Sequence, residues 1–117
     1  MATHEITLNS PWYEYVKSGE KIYEGRRYTE KVKAIQPGDM LKISHHIDKS
    51  LPFYNKTVVG ISRFSTFEQA LTLLNEQGLM QKVLPNVATI AEGVEIYLKY
   101  VSLATQVKDG VCLIEMK

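Results

Sequence analysis

The spacing of apolar residues divides the chain into short segments of two kinds. Positions that alternate between apolar and polar predict strands, and a three- to four-residue repeat predicts helices. The alternation predicts five strands, at residues 4–8, 21–28, 40–44, 57–61 and 111–116. The helical repeat predicts three main helices, beginning near residues 10, 65 and 89, and leaves residues 31–35 and 79–83 as single turns or short helices.

Residues that favour a helix start precede each helical segment. Ser10 suits the N-cap and Pro11 the first helical position. The pairs Ser65–Glu68 and Thr89–Glu92 have the spacing of a capping box. The resulting order is β-α-β-β-β-α-α-β, with short strands. It predicts an α+β fold in one domain over residues 1–117, a small closed or nearly closed β-barrel with helices outside.

Composition narrows the class of protein without indicating a function. The 117 residues are 44% hydrophobic and 23% charged, which is typical of a globular domain. No apolar run is long enough to span a membrane, and no charged-then-apolar leader is visible, so we expect no membrane partner. The single cysteine, Cys112, indicates a reducing compartment. We expect a cytoplasmic protein, with the nucleus left open, and no cofactor.

Charge and tyrosine content single out one segment, residues 17–33. This segment has six basic and three acidic residues, whereas the whole chain has a net charge of only +1. Tyr23 and Tyr28 lie within it, and aromatic faces interleaved with cations suit stacking on unpaired bases. The alternative is a solvated, mixed-charge face with half-buried tyrosines. The near-neutral total limits any nucleic-acid site to one or a few nucleotides.

The same segment contains a motif, G-x-K-x-x-E-x-R, filled by Gly19, Lys21, Glu24 and Arg26. A Pro-Gly-Asp turn at residues 37–39 and a Gly-Val strand start at residue 110 follow in order. Together these features resemble the ASCH domain family over nearly the whole chain. The resemblance implies a PUA-like fold, a mixed or mostly antiparallel β-barrel of about five to six strands, with the motif at the lip of a cleft.

The resemblance also implies candidate functions. Members of the ASCH family have been proposed to bind RNA, and small bacterial acetylcytidine amidohydrolases, which are similar to this chain, use a lysine, a threonine and a glutamate. Lys21 corresponds to that lysine, but Glu24 stands where the amidohydrolases have threonine. Glu76, after the predicted fourth strand, corresponds to their glutamate on loose spacing. Catalysis by Lys21, Glu24 and Glu76 is therefore one hypothesis.

A binding role for the motif follows from its side-chain chemistry. An arginine fork suits bidentate contacts to phosphate or guanine, and a carboxylate accepts hydrogen bonds from a base amino group. Glu24 and Arg26 share one face of their strand, so a structural ion pair is the alternative. Ser44 and His45, in and after the third strand, are further candidate contacts at the cleft mouth. His45 and His46 are adjacent and Asp48 is near, but no cysteine or third histidine lies at ligand spacing, so a metal site is not indicated.

Three functions remain open at this level. The first is a module that binds short single-stranded or looped RNA, a nucleoside or a nucleotide, through residues Lys21, Tyr23, Glu24, Arg26, Tyr28, Ser44 and His45. The second is a hydrolase, amidohydrolase-like or ribonuclease-like, that acts on a modified nucleoside or RNA with Lys21 and Glu24. The third is a non-catalytic regulatory domain with a protein partner. Whether the chain is an enzyme is left open.

Overall fold

Five strands form one sheet that curls into a half-barrel, and six helices pack around it, in a computed structural model that describes residues 1–117. The strands are β1 (Thr3–Leu8), β2 (Tyr23–Arg27), β3 (Met40–His45), β4 (Tyr54–Phe64) and β5 (Val111–Met116). The helices are α1 (Trp12–Ser18), α2 (Glu30–Lys33), α3 (Phe67–Glu76), α4 (Met80–Val83), α5 (Ile90–Leu98) and α6 (Leu103–Asp109). No helix has the length and apolarity that crossing a membrane requires.

The sheet has the order β1-β3-β4-β5-β2, which leaves β1 and β2 as its two edges. Strands β1 and β3 run parallel, and the other three pairs are antiparallel. The long strand β4 joins the two halves of the sheet, and its register shifts between Val58 and Gly60. A glycine within a strand favours such a bulge, and the added twist helps the sheet to curl.

The apolar core lies on both faces of β5. Cys112, Ile114 and Met116 contribute to one cluster, which also contains apolar residues of β1, β3 and the first two helices. Val111 and Leu113 point the other way, into a cluster built by α3, α4 and α5. Because both faces are covered, β5 is almost continuously apolar. Burial raises the pKa of the Cys112 thiol to about 11.

The start of the chain is fixed to the turn before β3 by a second buried group, the carboxylate of Asp39. It accepts hydrogen bonds from the backbone N–H groups of Ala2 and Gln36, each at 3.0 Å, and from Nε2 of His4 at 2.8 Å. Gly38, with φ +90°, makes the turn that presents Asp39 to these donors. The hydrogen bonds lower the pKa of Asp39 to about 2.

The α+β class and all five strands are confirmed, and the helix boundaries need two corrections. The N-cap of α3 is Thr66, whose hydroxyl accepts from Gln69 N–H, and not Ser65. Pro11 occupies the N-cap position of α1 instead of Ser10, whose hydroxyl donates to Glu14 at 2.5 Å. Helix α6 was not predicted, because only Gln106 of its residues is buried and it has no apolar stripe.

Candidate functional site

A cavity of about 470 Å³ lies where the two edge strands of the half-barrel face each other. Residues of β1, β2, α2, α3 and α5 all contribute to its wall, so it brings together parts of the chain that are far apart in sequence. Twelve of the 22 residues that line it are hydrophobic. Its size is typical of a small-molecule site, in which a few polar groups are set in apolar walls.

The most buried polar group in the wall is formed by Lys21, Glu24 and Arg26. Arg26 Nε donates to Glu24 Oε2 at 2.8 Å, and Lys21 Nζ lies 3.7 Å from Glu24 Oε1. Arg26 also donates from its second terminal nitrogen to the backbone oxygen of Thr7 at 2.8 Å. Because Thr7 is on β1 and Arg26 on β2, this side chain spans the gap between the sheet edges.

Lys21 is the most buried charged residue of the chain, with 2% of its surface exposed. Its ammonium donates to the backbone oxygens of Tyr23 and Val83, which fixes its position below the cavity. Burial lowers the pKa of Lys21 to about 8, against the opposing effect of Glu24. Trp12 covers the amine from the α1 side, with its ring centroid 5.6 Å from Nζ.

A tyrosine hydroxyl is the one buried side-chain polar atom in the structure without a hydrogen-bond partner. It belongs to Tyr97 on α5, whose ring is stacked on Phe67 with the centroids 3.9 Å apart. A Cβ atom at Gly25 would lie 2.6 Å from this oxygen. Gly25 is therefore the position in β2 that lets the phenol reach the floor of the cavity, next to Glu24. Burial raises the pKa of Tyr97.

The mouth of the cavity has a basic side and an aromatic side. Arg27, Lys31 and His46 are exposed residues that line it near the sheet edges. Tyr100, 64% exposed, lines it after the end of α5. None of these four residues was named as a candidate from the sequence. Arg27 and Lys31 belong to the basic segment 17–33, whereas no sequence pattern links His46 or Tyr100 to it.

Lys21, Glu24 and Arg26 of the motif line the cavity, whereas Gly19 and the other candidate residues lie outside its wall. Tyr23 is half-buried beside Glu115, which together with burial raises the pKa of its phenol. Tyr28 lies under Arg63, with the guanidinium carbon 4.1 Å from the ring centroid, and is outside the cavity wall. Glu76 is exposed in the last turn of α3 and lies outside the cavity wall.

Ser44 and His45 are also outside the cavity wall. Ser44 pairs with Thr7 in the β1–β3 ladder. The His45 ring is buried, and its Nδ1 accepts from the backbone N–H groups of Ile47 and Asp48. Its Nε2 is therefore the protonated nitrogen, 3.0 Å from the Ser10 hydroxyl. These contacts give His45 a structural role in closing the β3–β4 connection.

No three histidine, cysteine, aspartate or glutamate side chains converge in a way that would hold a metal ion. Glu24 is the only acidic residue that lines the cavity, and its two charged neighbours, Lys21 and Arg26, are cationic. The arrangement is therefore suited to a ligand with its own polar edge, which can exchange hydrogen bonds with Glu24 and Tyr97 while its faces contact the apolar walls.

A search of solved structures finds close matches to this fold. The hypothetical protein PH0355 aligns with a TM-score of 0.81 at 33% identity, over 100% of this chain and 98% of its own. Protein PF0455 from Pyrococcus furiosus aligns with a TM-score of 0.72 at 30% identity, over 98% of this chain and 96% of its own. No family model matches the sequence, and a search of curated proteins finds no match either.

A more distant structure carries the name of a domain. ASCH from Zymomonas mobilis aligns with a TM-score of 0.65 at 13% identity, over 98% of this chain and 66% of its own. At this identity the likeness concerns the fold. The chain therefore belongs to the family represented by PH0355 and PF0455, and it has the ASCH domain fold that its sequence resembles.

Proposed function

We propose that the cavity binds an unpaired base, either of a free nucleoside or nucleotide or of a short single-stranded or looped RNA. The observation that carries the proposal is the Lys21–Glu24–Arg26 group, which is set in a cavity with otherwise mostly apolar and aromatic walls. Unpaired bases are recognised in this way, with aromatic or apolar contact to their faces and hydrogen bonds to their edges.

The hydrogen-bonding capacity of the floor supports a ligand with a polar edge. Glu24 Oε1 is 3.7 Å from Lys21, which is too long for a hydrogen bond, so this oxygen can accept from a ligand N–H group. The hydroxyl of Tyr97, which also lines the cavity, is without a partner. The amino or imino group of a base can donate a hydrogen bond to the Glu24 carboxylate, and this contact distinguishes bases by where their donors lie.

The size of the cavity and the charge of the chain both support a compact ligand. A volume of about 470 Å³ is at the small end of the range for ligand sites. The net charge of +1 does not support a wide surface that grips many phosphates. The ASCH fold adds support, because proteins with this fold have been proposed to bind RNA.

The test uses the single tryptophan of the chain, because Trp12 lines the cavity. We expect quenching of its fluorescence by nucleosides, nucleotides or tetranucleotide RNAs, with saturation. Tyr100→Ala should weaken binding about tenfold, because a stacked aromatic ring is lost. The matched control is Phe53→Ala, which removes an aromatic ring that is 55% exposed and outside the cavity. Absence of saturable quenching, or equal effects of the two variants, would refute the proposal.

A second function is favoured by the burial of Lys21 in the cavity wall, where 2% of its surface is exposed, because this burial lowers its pKa to about 8. At pH 7 roughly a tenth of Lys21 would be a neutral amine, which is able to act as a base or a nucleophile. With Glu24 beside it, the cavity would then hydrolyse a modified nucleoside or RNA. Glu76 has no part in this version, because it is outside the cavity wall.

The hydrolase proposal is tested by product formation from acylated nucleosides, including N4-acetylcytidine, and from short RNAs. Lys21→Met keeps most of the side-chain volume and removes the amine. We expect the wild type to form product and the variant to form none. Added ligand should still quench the Trp12 fluorescence of both proteins. Binding without turnover in the wild type leaves the binding function and rejects the hydrolase.

A further inference from the structure

The charge of the cavity differs from that of the molecule. Four cationic side chains line it, and Glu24 is the only carboxylate among them, so the cavity carries +3 while the whole chain carries +1. The remainder of the chain is therefore net acidic. Such a concentration of one sign in a concave, partly apolar site attracts anions.

The cations occupy two levels of the cavity. Lys21 and Arg26 are at the inner level, where Glu24 offsets part of their charge. Arg27 and Lys31 are at the mouth, where both are exposed. A pocket that binds only a nucleoside does not require the outer pair.

The outer cations are weakly engaged within the protein. Arg27 Nε is 3.7 Å from Asp109 Oδ2, a distance beyond hydrogen bonding, and its side chain is 47% exposed. Lys31 Nζ donates to the backbone oxygen of Glu5 at 2.5 Å, which uses one of its three protons. Thr29, which lies between Arg27 and Lys31 in the sequence, also lines the cavity.

We propose that Arg27 and Lys31 form a phosphate subsite at the mouth, so that the ligand of this cavity is a phosphorylated nucleotide or RNA rather than a free nucleoside. This inference rests on the proposed function. The base enters the apolar interior toward Glu24, and the phosphate stays at the β2–α2 side of the mouth. An arginine fork and a lysine ammonium together supply the donors that phosphate oxygens accept.

The first measurement compares ligands on the wild-type protein. The four nucleosides, their 5′- and 3′-monophosphates and inorganic phosphate are titrated against Trp12 fluorescence and by calorimetry at low ionic strength. At least one monophosphate should bind about tenfold more tightly than its nucleoside. This advantage should shrink as salt is added, because exposed charges are screened. Inorganic phosphate alone should bind more weakly than that monophosphate.

The second measurement uses two charge-matched double variants. Arg27→Gln with Lys31→Gln should abolish the advantage of the monophosphate and leave the affinity for the nucleoside within about twofold. The control, Arg63→Gln with Lys33→Gln, removes two exposed cations that contact Tyr28 outside the cavity. It should keep the advantage. Thermal unfolding of both variants checks that each is folded.

The outcomes separate this inference from the function on which it rests. If nucleosides bind as tightly as monophosphates, the cavity is a base site without a phosphate subsite, and the inference is wrong. If both double variants lose the advantage equally, general electrostatic attraction replaces a defined subsite, which also overturns it. If neither this panel nor the tetranucleotide RNAs bind to the wild type, the proposed function is wrong, and the inference that rests on it is wrong as well.

Discussion

Asp39 and Glu24 are carboxylates of equal burial, each 7% exposed, but their surroundings differ in kind. Asp39 accepts from two backbone N–H groups and a histidine, all within 3.0 Å, and these contacts join the chain start to the turn before β3. Glu24 is held by the side chains of Arg26 and Lys21, at 2.8 and 3.7 Å, and it lines a cavity.

The difference separates a structural group from a group suited to binding. Two backbone N–H groups and His4 use most of the acceptor capacity of Asp39, which lies outside the cavity wall. Glu24 Oε1, 3.7 Å from Lys21 Nζ, keeps the capacity to accept a hydrogen bond. Burial alone therefore does not distinguish the two carboxylates, whereas incomplete satisfaction beside a cavity makes Glu24 the candidate for binding.

The largest effect that tests this comparison is expected at Glu24. Glu24→Gln leaves the buried ammonium of Lys21 without its counter-charge, and we expect the free energy of unfolding to fall by about 3–5 kcal/mol. Adding Lys21→Met to Glu24→Gln should restore most of that loss, because no buried charge is then uncompensated. Urea unfolding measures both. A double variant no more stable than Glu24→Gln would contradict the coupling.

The glycines beside the two carboxylates should also behave differently. Gly25→Ala places a Cβ atom 2.6 Å from the Tyr97 hydroxyl, and we expect a destabilisation of about 1–3 kcal/mol from overpacking. Gly38→Ala meets open space and is disfavoured only by φ +90°, by about 1 kcal/mol. Tyr97→Leu should partly rescue Gly25→Ala and leave Gly38→Ala unchanged in urea unfolding. Equal responses of the two glycine variants would remove the distinction.

The third effect is a pH dependence that belongs to Asp39. Its pKa is lowered from 3.8 to about 2, so the unfolded chain binds a proton at a higher pH than the folded one. Stability from this group is present above about pH 4 and is lost as the pH falls towards 2. Asp39→Asn should show a smaller loss over this interval than the wild type. If the free energy of unfolding falls equally with pH in the two proteins, the acid sensitivity comes from other groups.

The smallest effect is expected at the unpartnered hydroxyl. Tyr97→Phe removes a buried oxygen that has no hydrogen bond, so the free energy of unfolding should stay the same or rise by up to ~1 kcal/mol. The control is Tyr54→Phe, which loses a hydrogen bond to the backbone oxygen of Tyr13 at 2.6 Å and should lower it by ~1 kcal/mol. A loss of stability in Tyr97→Phe would mean that the hydroxyl has a structural partner.

Local pattern was sufficient for the strands and for the pair Glu24 and Arg26. Residues two apart in a strand share a face, and the structure has these two in contact. The same alternation predicted that Lys21 and Glu24 point to opposite faces of the strand, yet both line the cavity. The reason is that β2 begins at Tyr23, so Lys21 precedes the regular strand and its side chain follows the turn after α1.

The rest of the site depends on contacts between distant segments. Tyr97 has the helical spacing of a core residue, and nothing local indicates that its hydroxyl reaches Gly25, 72 positions earlier. His45 was predicted as a ligand contact, but in the structure its Nε2 lies 3.0 Å from the hydroxyl of Ser10, 35 residues earlier. Such pairings follow from how the sheet curls, which neither spacing nor composition specifies.

Because both faces of β5 are covered, the thiol of Cys112 can report how often the half-barrel opens. Cys112 is paired with Arg26 on one side and Arg63 on the other, and none of its surface is exposed. A disulfide reagent in solution can react only when the strands part, because the folded state buries the thiol and raises its pKa to about 11. The rate of labelling therefore counts openings of the half-barrel, and an occupant of the neighbouring cavity should slow it.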